Sequence, residues 1–177
     1  MYWNRKHVLI CTASHCNQKG AQNVAGRFRL EAKRKGIDTD VLINTCDSID
    51  LCDIGPNMVV YPEGVIYSGV SVKDFPEIFE HLAGGPPCAR LVLSADTESE
   101  QARRRVYIAM LESEDALTED AAQACAAAEG FEPAWLQEQY RRGFAAKREV
   151  DGVMMTNPTT KALQRYGLLP VRDAETA

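Results

Sequence analysis

Residues 52–67 read CDIGPNMVVYPEGVIY, and this stretch decides the fold of the first half of the chain. Two turn-forming triplets, Gly-Pro-Asn and Pro-Glu-Gly, precede the apolar runs MVVY at 58–61 and VIY at 65–67. Short β-rich runs that alternate with such turns are typical of a β-hairpin. The stretch therefore predicts two neighbouring antiparallel strands.

The segments on either side of this hairpin complete an α/β pattern. Before it, the apolar residues predict a strand over 7–10 that ends at Cys11, a helix over 20–36 and a second strand over 41–43. After it, residues 72–82 have the apolar spacing of a helix. The helix between the first two strands implies that these strands are parallel. The order βαββα is the skeleton of a thioredoxin-like domain, with a sheet covered by two helices.

The pattern changes beyond residue 96. Apolar residues there fall at helical spacing, and Pro133 and Pro158 suit the first turns of helices. We therefore expect two domains in an α/β chain. A thioredoxin-like domain covers 1–96, and an all-helical C-terminal extension covers 97–177.

Composition places the chain among folded soluble proteins. Apolar residues make up 45% of its 177 residues and charged residues 25%. No apolar run reaches the roughly 18 residues of a membrane span, and residues 1–6 lack the order of a signal peptide. We therefore expect a cytoplasmic protein without a membrane partner. Nucleic acid is not an expected partner either, because the basic stretch over 1–36 is short and only Trp3 and Phe28 offer stacking faces near it.

Four of the six cysteines form two pairs, each on a segment that follows a predicted strand. Four residues separate Cys11 from Cys16, and five separate Cys46 from Cys52. A 2Fe-2S cluster takes two thiolates on each iron, and neighbouring parallel strands would bring the two pairs together. Zinc also accepts four thiolates, although its structural sites favour shorter spacings. From the spacing, a 2Fe-2S cluster is the better fit and zinc stays open.

The remaining cysteines and one histidine have simpler interpretations. Cys88 and Cys125 lie outside the two paired segments, and a single cysteine commonly packs as a small buried hydrophobe. His15 lies inside the first segment and could replace a thiolate, as histidine does in Rieske centres. Four cysteines make that replacement unnecessary.

Two stretches carry a resemblance to a known family. Residues 52–67 and 72–82 are similar to the segment after the last ligand and to the closing helix of the thioredoxin-like 2Fe-2S ferredoxins. The opening CTASHC at 11–16 resembles instead the shorter first loop of the related 2Fe-2S subunit of NADH dehydrogenases and hydrogenases. The resemblance covers roughly residues 6–85. It implies a 2Fe-2S cluster as cofactor, with four thiolate ligands: Cys11, Cys16, Cys46 and Cys52.

The second cysteine pair departs from the family pattern. The position four residues before the last ligand, where the third ligand usually stands, is Ser48, and Cys46 precedes it by two residues. We expect Cys46 to be the ligand, because thiolate is the softer and better ligand for iron, with the Ser48 oxygen as the alternative. Three acids crowd this pair: Asp47, Asp50 and Asp53. They lower the reduction potential if they face the cluster, and otherwise keep the loop soluble.

The resemblance implies an electron carrier, or an iron–sulfur accessory protein, that delivers single electrons to a redox partner protein. The family also implies a homodimer, since a small domain leaves its sheet edge and hairpin free for pairing. The chain has no glycine-rich nucleotide motif and no Ser-His-Asp arrangement, so we do not expect an independent enzyme. Two alternatives stay open. One is a redox or cluster-state sensor that acts through the helical extension, and the other is a zinc-stabilised protein-binding module.

Overall fold

A computed structural model describes residues 4–49, 51, 54–113 and 117–169 of the chain. The chain divides into two compact units, Met1–Ser94 and Ala95–Ala177. Each unit has its own buried apolar core. The division falls close to the boundary proposed from the sequence, between residues 96 and 97.

The first unit is a mixed sheet with helices. Its strands are β1 (Lys6–Cys11), β2 (Val41–Cys46), β3 (Met58–Tyr61) and β4 (Val65–Tyr67). Its helices are α1 (Ser14–Gln18), α2 (Ala21–Arg34) and α3 (Phe75–Leu82). The strand order is β2-β1-β3-β4, in which β1 is parallel to β2 and antiparallel to β3, and β3 is antiparallel to β4. This confirms the predicted α/β class and the βαββα order, to which the structure adds the short helix α1.

Aromatic side chains join the two longer helices of this unit. Phe28 of α2 stacks on Phe79 of α3, with ring centroids 4.6 Å apart, and meets Phe75 edge-on at 4.9 Å. All three rings lie in the core cluster that also contains Val8 of β1. Such aromatic pairs add about 1 kcal/mol each beyond the burial of their area. The helices therefore form one packed layer with the sheet, which holds the ends of β1 and β2 in place.

A buried carboxylate fixes the start of the last helix. A 3-10 turn over Val72–Asp74 leads into α3, with Pro76 in the first turn. Asp74 accepts hydrogen bonds from the Ser71 N–H and hydroxyl, at 2.6 and 2.8 Å, and an ion pair from Arg90 at 2.6 Å. Burial works to raise the pKa of Asp74, but the contacts with Ser71 and Arg90 outweigh it, so the pKa lies below its ordinary value. Ser71 thus caps the start of this helical segment.

The outer edge of β4 is covered by the chain itself. The Leu93 N–H donates to the Ile66 carbonyl at 2.8 Å, the Ser68 N–H donates to the Leu91 carbonyl at 2.9 Å, and Tyr67 forms a bridge with Val92. These hydrogen bonds occupy the hairpin edge at residues 66–68, so this part of the edge is not free for pairing, and the homodimer stays a prediction. Within this sheet β2 is the other edge strand.

The second unit is mainly helical but contains a hairpin. Its helices are α4 (Glu98–Glu112), α5 (Glu119–Ala128), α6 (Pro133–Arg141) and α7 (Thr160–Arg165), and its strands are β5 (Ala145–Val150) and β6 (Val153–Pro158). The prediction of an all-helical extension needs this correction. Every residue of β5 after Ala145 is exposed. The strand therefore lacks the alternation of apolar and polar residues from which a half-buried strand is predicted. Among the described residues, no helix combines the length and the apolar character needed to cross a bilayer.

The two prolines of the extension have different positions. Pro133 lies in the first turn of α6, as predicted. Pro158 ends β6 instead, and the helix that follows begins after Thr159, whose hydroxyl accepts the Ala162 N–H at 3.4 Å. The core of the unit is formed by buried side chains from several of these elements, among them Tyr107, Leu136 and Phe144.

Candidate metal centre

Two predicted ligands lie at the ends of neighbouring parallel strands. Cys11 is the last residue of β1, Cys46 is the last residue of β2, and the two are paired in register. Thr12 fixes this junction, because its N–H and its hydroxyl both donate to the Cys46 carbonyl, at 2.9 and 3.1 Å. The predicted meeting of the two segments is thus present, with Cys46 on the strand and not in the loop after it.

A short helix brings a third thiol to the same place. Cys16 lies on α1, which the Asn17 side-chain amide ties to the Thr12 carbonyl at 2.7 Å. The sequence does not predict α1, because the five polar or small residues SHCNQ have no apolar periodicity. Cys11, Cys16 and Ala21 are fully buried together, and Cys46 packs against them. Three of the four predicted thiols therefore share one apolar cluster at the carboxyl ends of β1 and β2.

The fourth predicted ligand, Cys52, lies outside the described residues, as do Asp50 and Asp53. Among the residues that the structure does describe, no group of three or more His, Cys, Asp and Glu side chains is arranged around one point to hold a metal ion. Leu51 and Ile54, the described residues on either side of Cys52, are joined by a hydrogen bond from the Ile54 N–H to the Leu51 carbonyl, 3.2 Å long. The prediction for Cys52 stays a prediction.

The surroundings of Cys46 disfavour its charged form. Burial raises the pKa of the Cys46 thiol, and the nearby Cys11 and Asp47 raise it further. A thiolate at Cys46 is therefore unfavourable unless positive charge compensates it. A metal centre supplies that charge, since coordination deprotonates a thiol. The buried thiols with an apolar surround thus fit a thiolate-bound iron–sulfur cluster.

The other candidate side chains lie in different environments. Ser48, the alternative third ligand, is exposed, whereas Cys46 packs into the thiol cluster. His15 is half-buried on α1, next to Cys16. Cys88 lies in the core of the first unit and Cys125 packs against the core of the second, in agreement with their predicted packing roles.

Two residues near the thiols escaped the sequence analysis. Gly55 lies against the Cys16 sulfur, and the fully buried Asn57 bonds to both Leu51 and Cys11. Both belong to the Gly-Pro-Asn triplet, which the sequence identifies only as a turn. A buried asparagine between a ligand loop and a strand is visible only once the fold is known.

Two known ferredoxins are similar to about half of this chain. A 2Fe-2S ferredoxin of Clostridium pasteurianum is 30% identical over 96 residues, which make up 49% of this chain and 94% of the relative. A 2Fe-2S ferredoxin of Aquifex aeolicus (strain VF5) is 36% identical over 100 residues, or 50% of this chain and 89% of the relative. This chain belongs to the thioredoxin-like 2Fe-2S ferredoxin family. The resemblance drawn from residues 52–67 and 72–82 is confirmed, and so is the 2Fe-2S cluster as the cofactor of the family.

A solved structure gives a similar match. The crystal structure of the thioredoxin-like 2Fe-2S ferredoxin from Aquifex aeolicus has 33% sequence identity and a TM-score of 0.48, and the match covers 51% of this chain and 98% of that one. No protein-family model matches the chain.

Proposed function

We propose that this chain binds one 2Fe-2S cluster through Cys11, Cys16, Cys46 and Cys52 and carries single electrons. The observation that supports this most directly is the buried cluster of Cys11, Cys16 and Cys46 at the ends of two parallel strands, in a member of a ferredoxin family. When bound, the cluster supplies a one-electron redox centre. The chain's own contribution is to hold the thiolates, to limit the access of water and to set the surrounding charge.

The environment of each candidate favours Cys46 over Ser48 as third ligand. Cys46 stands opposite Cys11 in the β1–β2 register and packs against the buried thiols, whereas Ser48 is exposed two residues further on. A serine oxygen is also the harder ligand, less suited to iron in such clusters. Asp47 adds negative charge beside this pair and so disfavours the uptake of an electron, which lowers the reduction potential.

Delivery of the electron to a separate redox partner protein is the natural use of such a site. The candidate ligands Cys11 and Cys46 end two neighbouring parallel strands, so the site lies at the carboxyl ends of these strands. We also propose a homodimer for this carrier, with β2 as the strand available at the edge of its sheet. Sedimentation of the full chain as a strict monomer at micromolar concentration would reject the dimer.

Substitution of single ligands tests the proposed site. In anaerobically reconstituted protein, we expect Cys46→Ser to shift the visible bands and to shorten the lifetime of the cluster roughly 10- to 100-fold, because a weaker ligand replaces a thiolate. Ser48→Ala is the matched control, and we expect the wild-type spectrum for it. A normal spectrum for Cys46→Ser together with a lost cluster in Ser48→Ala would assign the third ligand to Ser48.

A further inference from the structure

Gly55 lies directly against the Cys16 thiol. A Cβ atom added at Gly55 would stand 2.6 Å from Cys16 Sγ, although its distances to Cys16 Cβ and to Asn57 Nδ2, 3.5 and 3.6 Å, are ordinary contacts. The backbone of Gly55 is not in the left-handed region, so an alanine is excluded here by space and not by conformation. Cys16 is fully buried on α1 and cannot withdraw without repacking its surroundings. The absence of a side chain at Gly55 thus leaves space for the Cys16 sulfur.

Asn57 ties two ligand-bearing segments to each other. Its carbonyl accepts the Cys11 N–H at 3.0 Å, which fixes the end of β1. Its side-chain amide donates to the carbonyl of Leu51, the residue before Cys52. Asn57 is fully buried, so both hydrogen bonds are shielded from water.

The side-chain oxygen of Asn57 adds a second observation. Asn57 Oδ1 is buried and has no hydrogen-bond partner among the described residues. A buried carbonyl oxygen without a hydrogen-bond partner is unfavourable, so such an atom is seldom left unpaired. Asn57 is therefore kept in this buried position by its two hydrogen bonds, to Leu51 and to Cys11.

We propose that Gly55 and Asn57 are the positioning residues of the thiolate site. Gly55 leaves room for the Cys16 sulfur, and Asn57 holds Leu51, the residue before Cys52 in the chain, against the strand that ends at Cys11. The effect on the cluster rests on the proposed function, whereas the steric relation between Gly55 and Cys16 does not. Residues that orient metal ligands commonly change metal affinity 10- to 100-fold when they are replaced, which is about the size of effect expected here.

A double-substitution cycle on the metal-free full chain tests the steric relation. We expect Gly55→Ala to lower the midpoint of urea unfolding when Cys16 is present and to have little effect in a Cys16→Ala background, because alanine removes the sulfur. Gly26→Ala is the matched control, since a Cβ atom at Gly26 meets no atom within 4 Å. An equal loss of stability in both backgrounds would overturn the assignment of Gly55.

The loaded full chain tests the role toward the cluster. After anaerobic reconstitution with iron and sulfide, we expect Gly55→Ala and Asn57→Ala to lose the visible bands roughly 10- to 100-fold faster than wild type. Each should also show a shifted reduction potential in the fraction that retains the cluster. Gly26→Ala serves as control here too, because a Cβ atom at Gly26 meets no atom within 4 Å.

The outcomes separate this inference from the proposed function. Wild-type protein that fails to bind iron and sulfide removes the proposed function, while the cycle between Gly55 and Cys16 keeps its own result. Loaded Gly55→Ala and Asn57→Ala proteins with the wild-type potential and rate of cluster loss would overturn the positioning role. A lower stability of both variants without a change in reduction potential would likewise overturn the positioning role, because it would show that the two residues stabilise the fold and do not act on the cluster.

Discussion

At the scale of single residues, Asp74 links a charge to the stability of the first unit. Its carboxylate is 7% exposed and binds Ser71 and Arg90, which together hold its pKa below the ordinary value. A lowered pKa in the folded state means that this stabilisation is complete above the unfolded-state pKa. It is lost as the pH falls through the lower pKa of the folded state.

We therefore expect Asp74→Asn to lower the free energy of unfolding by about 1 kcal/mol at pH 7, because the amide keeps the shape but loses the charge-assisted hydrogen bonds. The difference from wild type should shrink as the pH falls below about 4. Urea unfolding of the metal-free protein at a series of pH values measures it. Asp38→Asn, at an exposed position, is the control. A deficit that is constant down to pH 2 would show that the charge of Asp74 is not its source.

The thiol residues show which contacts of single residues can be predicted from the sequence and which cannot. The positions of Cys11 and Cys46 after two predicted parallel strands were sufficient to predict that their segments meet, because neighbouring parallel strands end at the same side of a sheet. The contact between Gly55 and Cys16 could not be predicted, because it depends on where α1 turns in space. Spacing identifies which residues can converge, and only packing shows what fits between them.

At the scale of elements, the strands and helices with a buried apolar face were the predictable ones. β3 and β4 occupy the predicted ranges, and α2 ends before Gly36 as expected. The β5–β6 hairpin escaped, because β5 is exposed along almost its whole length. The turn of this hairpin is nevertheless visible in the sequence, because Asp151-Gly152 is a dipeptide that favours a two-residue turn with positive φ at both positions.

That turn is tested by one substitution. Asp151 and Gly152 have φ values of 51° and 78°, and Val150 pairs with Val153 across them. We expect Gly152→Ala to lower the free energy of unfolding of the extension by about 1 kcal/mol, because a side chain is strained at this φ.

A second glycine provides the opposite expectation in the same measurement. Gly26 lies exposed within α2, where a Cβ atom meets no neighbour. We expect Gly26→Ala to raise the stability of the first unit by about 0.5–1 kcal/mol through helix propensity. Thermal unfolding of both variants by circular dichroism compares the two signs. A change in unfolding temperature of the same sign and size in both variants would contradict the assigned turn.

At the scale of the whole molecule, the chain combines a ferredoxin unit with an extension that has its own core. The relative from Clostridium pasteurianum matches over 94% of its length but only 49% of this chain, so its ferredoxin exists without a comparable extension. From the sequence alone, the change from mixed to helical periodicity near residue 96 predicts such a division. The role of the extension could not be predicted from the sequence. Its exposed hairpin residues Val153 and Met154, for example, are apolar and belong to no catalytic or binding motif.

This division predicts that the first unit works alone. We expect a fragment of residues 1–96 to fold and to give the same visible spectrum as the full chain after anaerobic reconstitution, because the thiol cluster and its core lie within Met1–Ser94. The full chain reconstituted in parallel is the control. A folded fragment that cannot hold the cluster would show that the extension completes the site.

The central claim is that four cysteines of this chain hold one 2Fe-2S cluster. The most direct measurement is the visible spectrum of anaerobically purified full-length protein, taken together with its iron, acid-labile sulfide and zinc content. We expect about two irons and two sulfides per chain, with bands that bleach on reduction. A colourless protein that contains zinc, or no metal at all after anaerobic handling, would contradict it.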